Sequence, residues 1–292
     1  MKAMDELAPA RVRAVAGLMG ARPPEGPVVW VGSEAPVGPA ALALAWPGPG
    51  SLSPDARRGW WAALAAALVP GGVAVVRVDV LPGWHAVTAV QDFARFHASR
   101  RGVSLAAALD EVTALPRGDD DGGRWEGWIE VVAATRAREP EALPGLELGS
   151  VHAAELHAWV AEAAAAGLAW LGDLRGPVGA RWTLAPPLRA WVDEEVSLSD
   201  DPVRGAQIAD LAQCRHTRRL LLVRGAPTGD GPRDLHLGPP DVGLPGDAFD
   251  PTAEAWERHA SLAAQSAAWG PCADLALARE LWTLGAATLR EG

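Results

Sequence analysis

Apolar residues along this chain fall into short bursts divided by Pro- and Gly-rich turns, and the spacing inside each burst separates helices from strands. In 8–19, APARVRAVAGLM, Val12, Val15, Leu18 and Met19 share one helical face and Gly20 supplies the stop. After the turn-forming RPPEGP, the run Val28, Val29, Trp30, Val31 ends at Gly32, which predicts a buried parallel strand followed by a tight turn. A second such run, 41–46, closes in PGPG. Ser53 then caps a helix with Pro54 at its first position; Trp60, Trp61, Leu64 and Leu68 mark its buried side, and PGG at 70–72 breaks it. VAVVRVDV, 73–80, is the clearest strand in the sequence.

Helix, strand, strand, helix, strand in that order predicts an α/β layer. Beyond it helices dominate. Residues 86–100 carry Val87, Val90 and Ala94 at helical spacing, and 104–115, opened by Ser104, carry Leu105, Ala108, Val112 and Leu115. RGDDDGG at 117–123 is a charged break before WEGWIEVVAATRA. The helical pattern returns at 154–167 with Leu156, Trp159, Val160 and Ala163. Asp201 and Pro202 open another helix, with Val203, Ile208 and Leu211, which leads to a last strand candidate at 220–223. Residues 225–251, rich in Gly, Pro and Asp, read as a linker or ordered loop, and 252–268 and 273–288 as closing helices. Three regions are expected: 1–116, 117–224 and 225–292. No internal repeat is present.

Composition narrows the function classes. Hydrophobic residues are 49% and charged ones 21% of the 292, so a packed globular chain is expected. The formal charge of -10, without a Lys/Arg block, argues against nucleic acid or an anionic membrane as the main partner. Cys214 and Cys272 stand far apart with no CxxC or Cys/His cluster, which gives neither a disulfide framework nor a zinc signature. With no apolar run of about 18 residues and no hydrophobic signal core in MKAMDELAPARVRAV, a cytoplasmic location is expected. Fourteen Trp stand against no Tyr, and Lys2 is the only lysine.

In an open parallel sheet, ligands sit outside the carboxyl ends of the strands. Three loops therefore hold the candidate chemistry: 32–39, 46–53 and 79–85. They make Gly32, Trp46 and Asp79 the candidate cofactor contacts and His85 the candidate catalytic residue, as a base or ligand contact; a turn histidine bonded to backbone is the alternative. A Pro-Gly turn delivers Trp84 and His85 from a strand end into a helix. Arg215, His216, Arg218, Arg219 and Arg224 form the one dense positive run, suited to a carboxylate-rich peptide or phosphate, with a solvated helix end as the alternative. His152 and His157, like Asp92 and His97, are five apart and share no helical face, so no metal pair is expected. No GxSxG or GxxxxGK[ST] string occurs, and neither Cys has a recognisable base.

The succession PGG, strand, LPGWH within 51–98 resembles the second half of class I S-adenosylmethionine-dependent methyltransferases, in the subgroup that carries a methyltransferase regulatory domain. ELHAWVAEAAAAGLAWLGDL (155–174) and DDPVRGAQIADLAQCRHTRRLLLVR (200–224) resemble that regulatory domain, found also in bacterial protein lysine methyltransferases of this subgroup. The resemblance covers roughly residues 8–224. It implies an α/β fold, a shortened Rossmann-like methyltransferase sheet followed by a mainly helical regulatory region.

In that family a glycine-rich loop after the first strand and an acidic residue ending the second cradle the cofactor. Here Gly32 has no second glycine at short spacing, and only nine residues, 32–40, precede ALALAWPGPGS, which resembles the fourth strand. One parallel crossover usually takes about a dozen residues or more, so the second and third strands have no room. Glu34 lies in the first turn, where it cannot replace the ribose-binding carboxylate. The expectation is a degenerate, non-catalytic protein with no cofactor. It would bind a protein or peptide partner through Trp84, His85, Arg215, Arg218 and Arg219, as a homodimer or beside a modifying enzyme, because the missing strands expose a sheet edge. The alternative is an active methyltransferase whose S-adenosylmethionine site, around Gly32, Trp46, Asp79 and His85, is atypical or completed by a partner.

Overall fold

A computed structural model describes residues 9–32, 38–46, 48–114, 132, 152–174, 186–198, 201–226, 235–238, 270–271 and 288–291. The main sheet holds five strands: β1 (Val28–Val31), β2 (Ala40–Ala45), β3 (Leu68–Asp79), β4 (Leu168–Asp173) and β5 (Thr217–Arg224). Their order is β1-β2-β3-β5-β4. The first three run parallel, with Val28 beside Leu42 and Leu42 beside Val73. β5 is antiparallel to β3, and β4 to β5. The first two strands are direct parallel neighbours, with residues 32–39 as their whole connection.

Helices cover both faces. On one lies α1 (Pro9–Leu18), whose Val12, Val15 and Leu18 pack on Leu42, Leu44, Val73, Val75, Leu221 and Val223. On the other lie α2 (Pro54–Ala67) and α5 (Leu156–Ala165), which bring Trp60, Trp61, Leu64, Leu156 and Trp159 onto Ala43, Ala45, Ala74 and Val76. The alternation within β2 follows from this: Leu42 and Leu44 meet the slim, Ala-rich α1, while Ala43 and Ala45 leave room for indoles. Coverage of both faces is why β2 reads as a continuous apolar run, whereas β1, expected to be buried, leaves Val28 and Trp30 exposed because it lies at the edge of the described sheet. Trp61 and Trp159 are fully buried, and truncating such a side chain to Ala costs about 3–5 kcal/mol.

The helix ends follow the sequence signals. Ser53 accepts a hydrogen bond from the Ala56 amide with Pro54 in the first turn of α2. Ser104 does the same for the Ala107 amide at the start of α4 (Leu105–Thr113), and Gly102 ends α3 (Trp84–Arg101) in the left-handed conformation. Trp84, Val87, Val90 and Ala94 of α3 pack on Ala108, Leu109 and Val112 of α4 in a third core.

The structure differs from the sequence expectations at four places. Pro70-Gly71-Gly72 is not a loop between helix and strand; β3 starts at Leu68 and runs through it, with Gly71 at φ +74° and a register shift against β2. The strand β4 was not expected, because GLAWLGD carries little β-branched character. Nor was α6 (Pro186–Ser197), which two prolines open. In the tail, β6 (Leu235–Gly238), β7 (Gly270–Pro271) and β8 (Thr288–Glu291) form a small sheet in the order β7-β6-β8, so position 288 is strand and not helix. The remainder of the expected closing helices, and Leu115 of the fourth expected one, lie outside the described residues. β8 contacts α1. Residues 152–224 supply two strands and α5, α6 and α7 (Pro202–Gln213), so the first two expected regions share one sheet. Among the described residues no helix is long and apolar enough to cross a membrane.

The join of β4, β5 and α7 is electrostatic. Arg218 on β5 donates through Nε to Asp210 Oδ2 and through Nη2 to Asp210 Oδ1, each at 2.7 Å, and through Nη1 to Asp173 Oδ2 at 3.4 Å. All three groups are buried. Burial pushes the Asp210 carboxyl above its ordinary pKa, with the Arg218 charge opposing. Burial also works against the Arg218 charge, but Asp173 and Asp210 outweigh it and hold the guanidinium above its ordinary value. Removing one partner leaves the other buried and uncompensated. Asp210→Asn is expected to lower unfolding stability by about 3 kcal/mol or more in urea titration; a loss within about 0.5 kcal/mol would contradict the network's role.

Candidate functional site

The carboxyl ends of β1, β2 and β3 bring Gly32, Trp46 and Asp79 to one end of the sheet, as the spacing predicts. There the chain closes over itself. After Trp46 the segment folds back through a 3₁₀ turn at Pro49–Ser51 and lies directly on β3. A Cβ on Gly48 would stand 1.6 Å from the Arg77 carbonyl oxygen, and one on Gly50 would stand 2.7 Å from Asp79 Oδ2. Only glycine permits this approach. The Gly50 carbonyl accepts from the His152 amide at 2.7 Å, which ties the loop to the start of α5.

The candidate cofactor contacts have protein partners. Asp79 pairs with Arg77 at 2.9 Å, both buried, and its carbonyl accepts from Trp159 Nε1 at 2.8 Å and from the Ala154 amide at 3.3 Å. Two guanidiniums lie near the Trp46 ring, Arg219 at 4.9 Å and Arg77 at 5.6 Å from its centroid, cation–π contacts at an only partly exposed position. The Gly32 carbonyl accepts from Trp60 Nε1 at 3.1 Å. A Cβ on Gly32 would meet nothing within 4 Å, so no close backbone approach demands glycine there.

One layer out, Arg57 is held on three sides. Its Nη1 donates to the His152 carbonyl at 3.1 Å, its Nη2 to Glu162 at 2.7 Å, and its guanidinium sits 4.4 Å over the Trp159 ring. Glu162 also accepts from Trp61 Nε1 at 3.1 Å. Trp61 and Trp159 thus pack and hydrogen-bond within the protein.

The expected partner-binding residues separate into two groups. His85 is exposed at the start of α3, its amide donating to the Pro82 carbonyl at 2.9 Å. Trp84 is not displayed: it is 1% exposed and pins α3 in the third core. Gly83 lets that turn touch the chain before β5, where a Cβ would lie 2.4 Å from the Cys214 carbonyl oxygen. The positive run folds inward too. Arg218 and Arg219 are buried, and Arg215 lies 3.6 Å from Asp210 and 3.7 Å from Asp173. Alternation along β5 turns consecutive arginines to opposite faces of a covered sheet, so a dense run in sequence makes no dense surface.

The sequence pattern did not single out the exposed apolar positions. Phe93 and Phe96, two of the three phenylalanines, lie on the outer side of α3, Phe96 at 57% exposure. Leu188 and Trp191 are exposed on α6, Leu198 just after it, and Leu211 on α7. The available signal was that Phe93 and Phe96 fall off the face defined by Val87, Val90 and Ala94. A separate open depression of about 450 Å³ lies at the amino ends of the strands, lined by Gly38, Pro39, Ala63, Ala66 and Ala67.

No family profile and no curated protein matches the sequence. Among solved structures the chain is similar to PKMT2 from Rickettsia typhi in complex with AdoHcy, at 15% identity and a TM-score of 0.61, over 88% of this chain and 66% of that one. A second structure of the same protein aligns at 16% identity and a TM-score of 0.59, over 84% and 60%. The chain thus spans less than two thirds of those neighbours' length. The likeness is one of fold: a five-stranded α/β architecture of methyltransferase type.

The glycines distinguish the closed loop from an open one. Gly48→Ala is expected to lower stability by about 1–3 kcal/mol, whereas Gly32→Ala should stay within about 0.5 kcal/mol. Thermal unfolding of the two variants measures the contrast, and equal effects would contradict the packing of the loop on β3.

Proposed function

We propose that this chain is a non-catalytic, protein-binding member of the methyltransferase-like fold that does not take up S-adenosylmethionine or the AdoHcy with which PKMT2 was solved. The observation that carries this is the occupancy of the strand ends: Asp79 is consumed by Arg77, Trp46 by two arginines and Gly32 by Trp60. A nucleoside entering there would have to displace buried ion pairs and hydrogen bonds, and breaking one side of a buried charge pair is costly. Among the described residues β1 is at the sheet edge, which leaves a ligand over Gly32 with no described strand beyond it to form a wall.

Partner binding is supported by the exposed aromatics. Phe96, with the Arg100 guanidinium 5.7 Å over its ring, and Trp191 are each about half exposed as residues, and aromatic residues are enriched where protein interfaces bury their centres. The exposed Glu194 on α6 and the net charge of -10 fit a partner with a basic rim. The likeness to an AdoHcy-bound protein favours the alternative, an active methyltransferase.

Isothermal titration decides between them. With ligand near 1 mM, neither S-adenosylmethionine nor AdoHcy should give saturable heat. A Kd below about 100 µM for either would overturn the proposal. Phe96→Glu and Trp191→Glu should leave the unfolding temperature nearly unchanged and weaken capture of the native partner by the tagged chain; unchanged capture by both would contradict the assignment of these faces.

A further inference from the structure

We propose that the free edge of β1 docks a second copy of this chain, antiparallel, about a two-fold axis through Val29. The inference goes beyond the function proposed above, since it rests on β1 and not on what the strand ends bind. Among the described residues β1 pairs with β2 alone. Val28 and Trp30 are 37% and 52% exposed.

The direction of each backbone group follows from the bonds to β2. The Pro27 carbonyl accepts from the Ala41 amide at 2.9 Å, and the Val31 carbonyl from the Trp46 amide at 2.8 Å. Peptide groups alternate in direction along a strand, so residues 27, 29 and 31 face β2, and the N–H and C=O of Val28 and Trp30 face outward. A partner must therefore be an extended strand, because only that satisfies both outward residues in register.

A second copy does so without adjustment. Antiparallel pairing centred on Val29 sets Val28 opposite the other copy's Trp30 and Trp30 opposite its Val28. Those are the residues whose backbone groups point outward, so each pair exchanges both N–H···O bonds, and the two Val29 residues form the intervening non-bonded pair. Pro27, lacking an N–H, faces β2 and takes no part. The side chains agree. Val28 and Trp30 stand beside Leu42 and Leu44, on the α1 face, so the pairing lays each indole across a valine, a favourable aromatic–β-branched contact. From Pro27 to Gly32 the segment PVVWVG has no charge. Two copies of a chain carrying -10 can thus meet there without like charges at the seam. Edge strands that stay unpaired are commonly very short or carry a Lys, a Pro or a bulge; β1 is short, at four residues, but has no Lys, Pro or bulge within them.

Light scattering on the full chain at about 100 µM should give twice the 30.4 kDa of one copy. Val28→Lys with Trp30→Lys, and separately Val28→Glu with Trp30→Glu, should each weaken the dimer at least about tenfold. Mixing the two variants should restore a mixed dimer, since the pairing sets lysine opposite glutamate. A monomeric wild type, a dimer indifferent to both variants, or mixing that restores nothing would overturn the proposal. Should either variant lose its circular dichroism, Val29→Cys in a Cys214→Ser, Cys272→Ser background is the second measurement. It should cross-link to itself and Val28→Cys should not, because only residue 29 meets its own copy; the reverse pattern, or no cross-link, would overturn it.

Discussion

Direct parallel pairing of β1 with β2 is the constraint from which the other features follow. Parallel neighbours are ordinarily joined by a crossover of about a dozen residues or more, and here residues 32–39 make the whole connection. So short a link fixes β2 as the next strand in space as well as in sequence. Among the described residues β1 is the last strand on its side, and side chains of the protein itself lie at the carboxyl end of the sheet. Arg and Trp dominate there. Arg77 and Arg219 lie near Trp46, Arg57 lies over Trp159, and the indole N–H groups of Trp60, Trp61 and Trp159 each reach a carbonyl or carboxylate.

The abundance of Trp and near-absence of Lys acquire a physical sense in this setting. A planar guanidinium can lie on an indole and still donate sideways to a carboxylate, as Arg57 does to Glu162. Such pairs carry charge into places where a lysine ammonium would lose its hydration with less return. The chain can therefore keep arginines buried at positions 57, 77, 218 and 219 within its core. An indole also fills volume, and Ala43, Ala45 and Ala74 are small where Trp60 and Trp61 are large.

Much of the sheet was legible because its signals are local. VVWV, ALALA and VAVV are apolar runs that mark the first three strands, and Ser53-Pro54 and Ser104 mark helix starts by chemistry visible in the sequence. The short link showed that no further strand fits between the first two runs, but their direct parallel pairing is a finding of the structure. What escaped the sequence was set by long-range contacts. GLAWLGD becomes β4 because β5 stands beside it, and the arginines of β5 turn inward because Asp210 and Asp173 come from other elements to meet them. Gly32 drew notice as a motif residue, yet the glycines that the packing requires are Gly48, Gly50 and Gly83, whose demands come from Arg77, Asp79 and Cys214, distant in the chain.

The scaffold is methyltransferase-like in fold, and its own side chains lie at the strand ends where the proposed function excludes a nucleoside. A crystal structure of the protein grown with saturating AdoHcy tests this most directly. The account predicts β1 hydrogen-bonded to β2, Trp60 Nε1 on the Gly32 carbonyl, the Arg77–Asp79 pair intact and no nucleoside over the strand ends. A nucleoside seated against Gly32, with Trp46 or Asp79 turned to meet it, would contradict it.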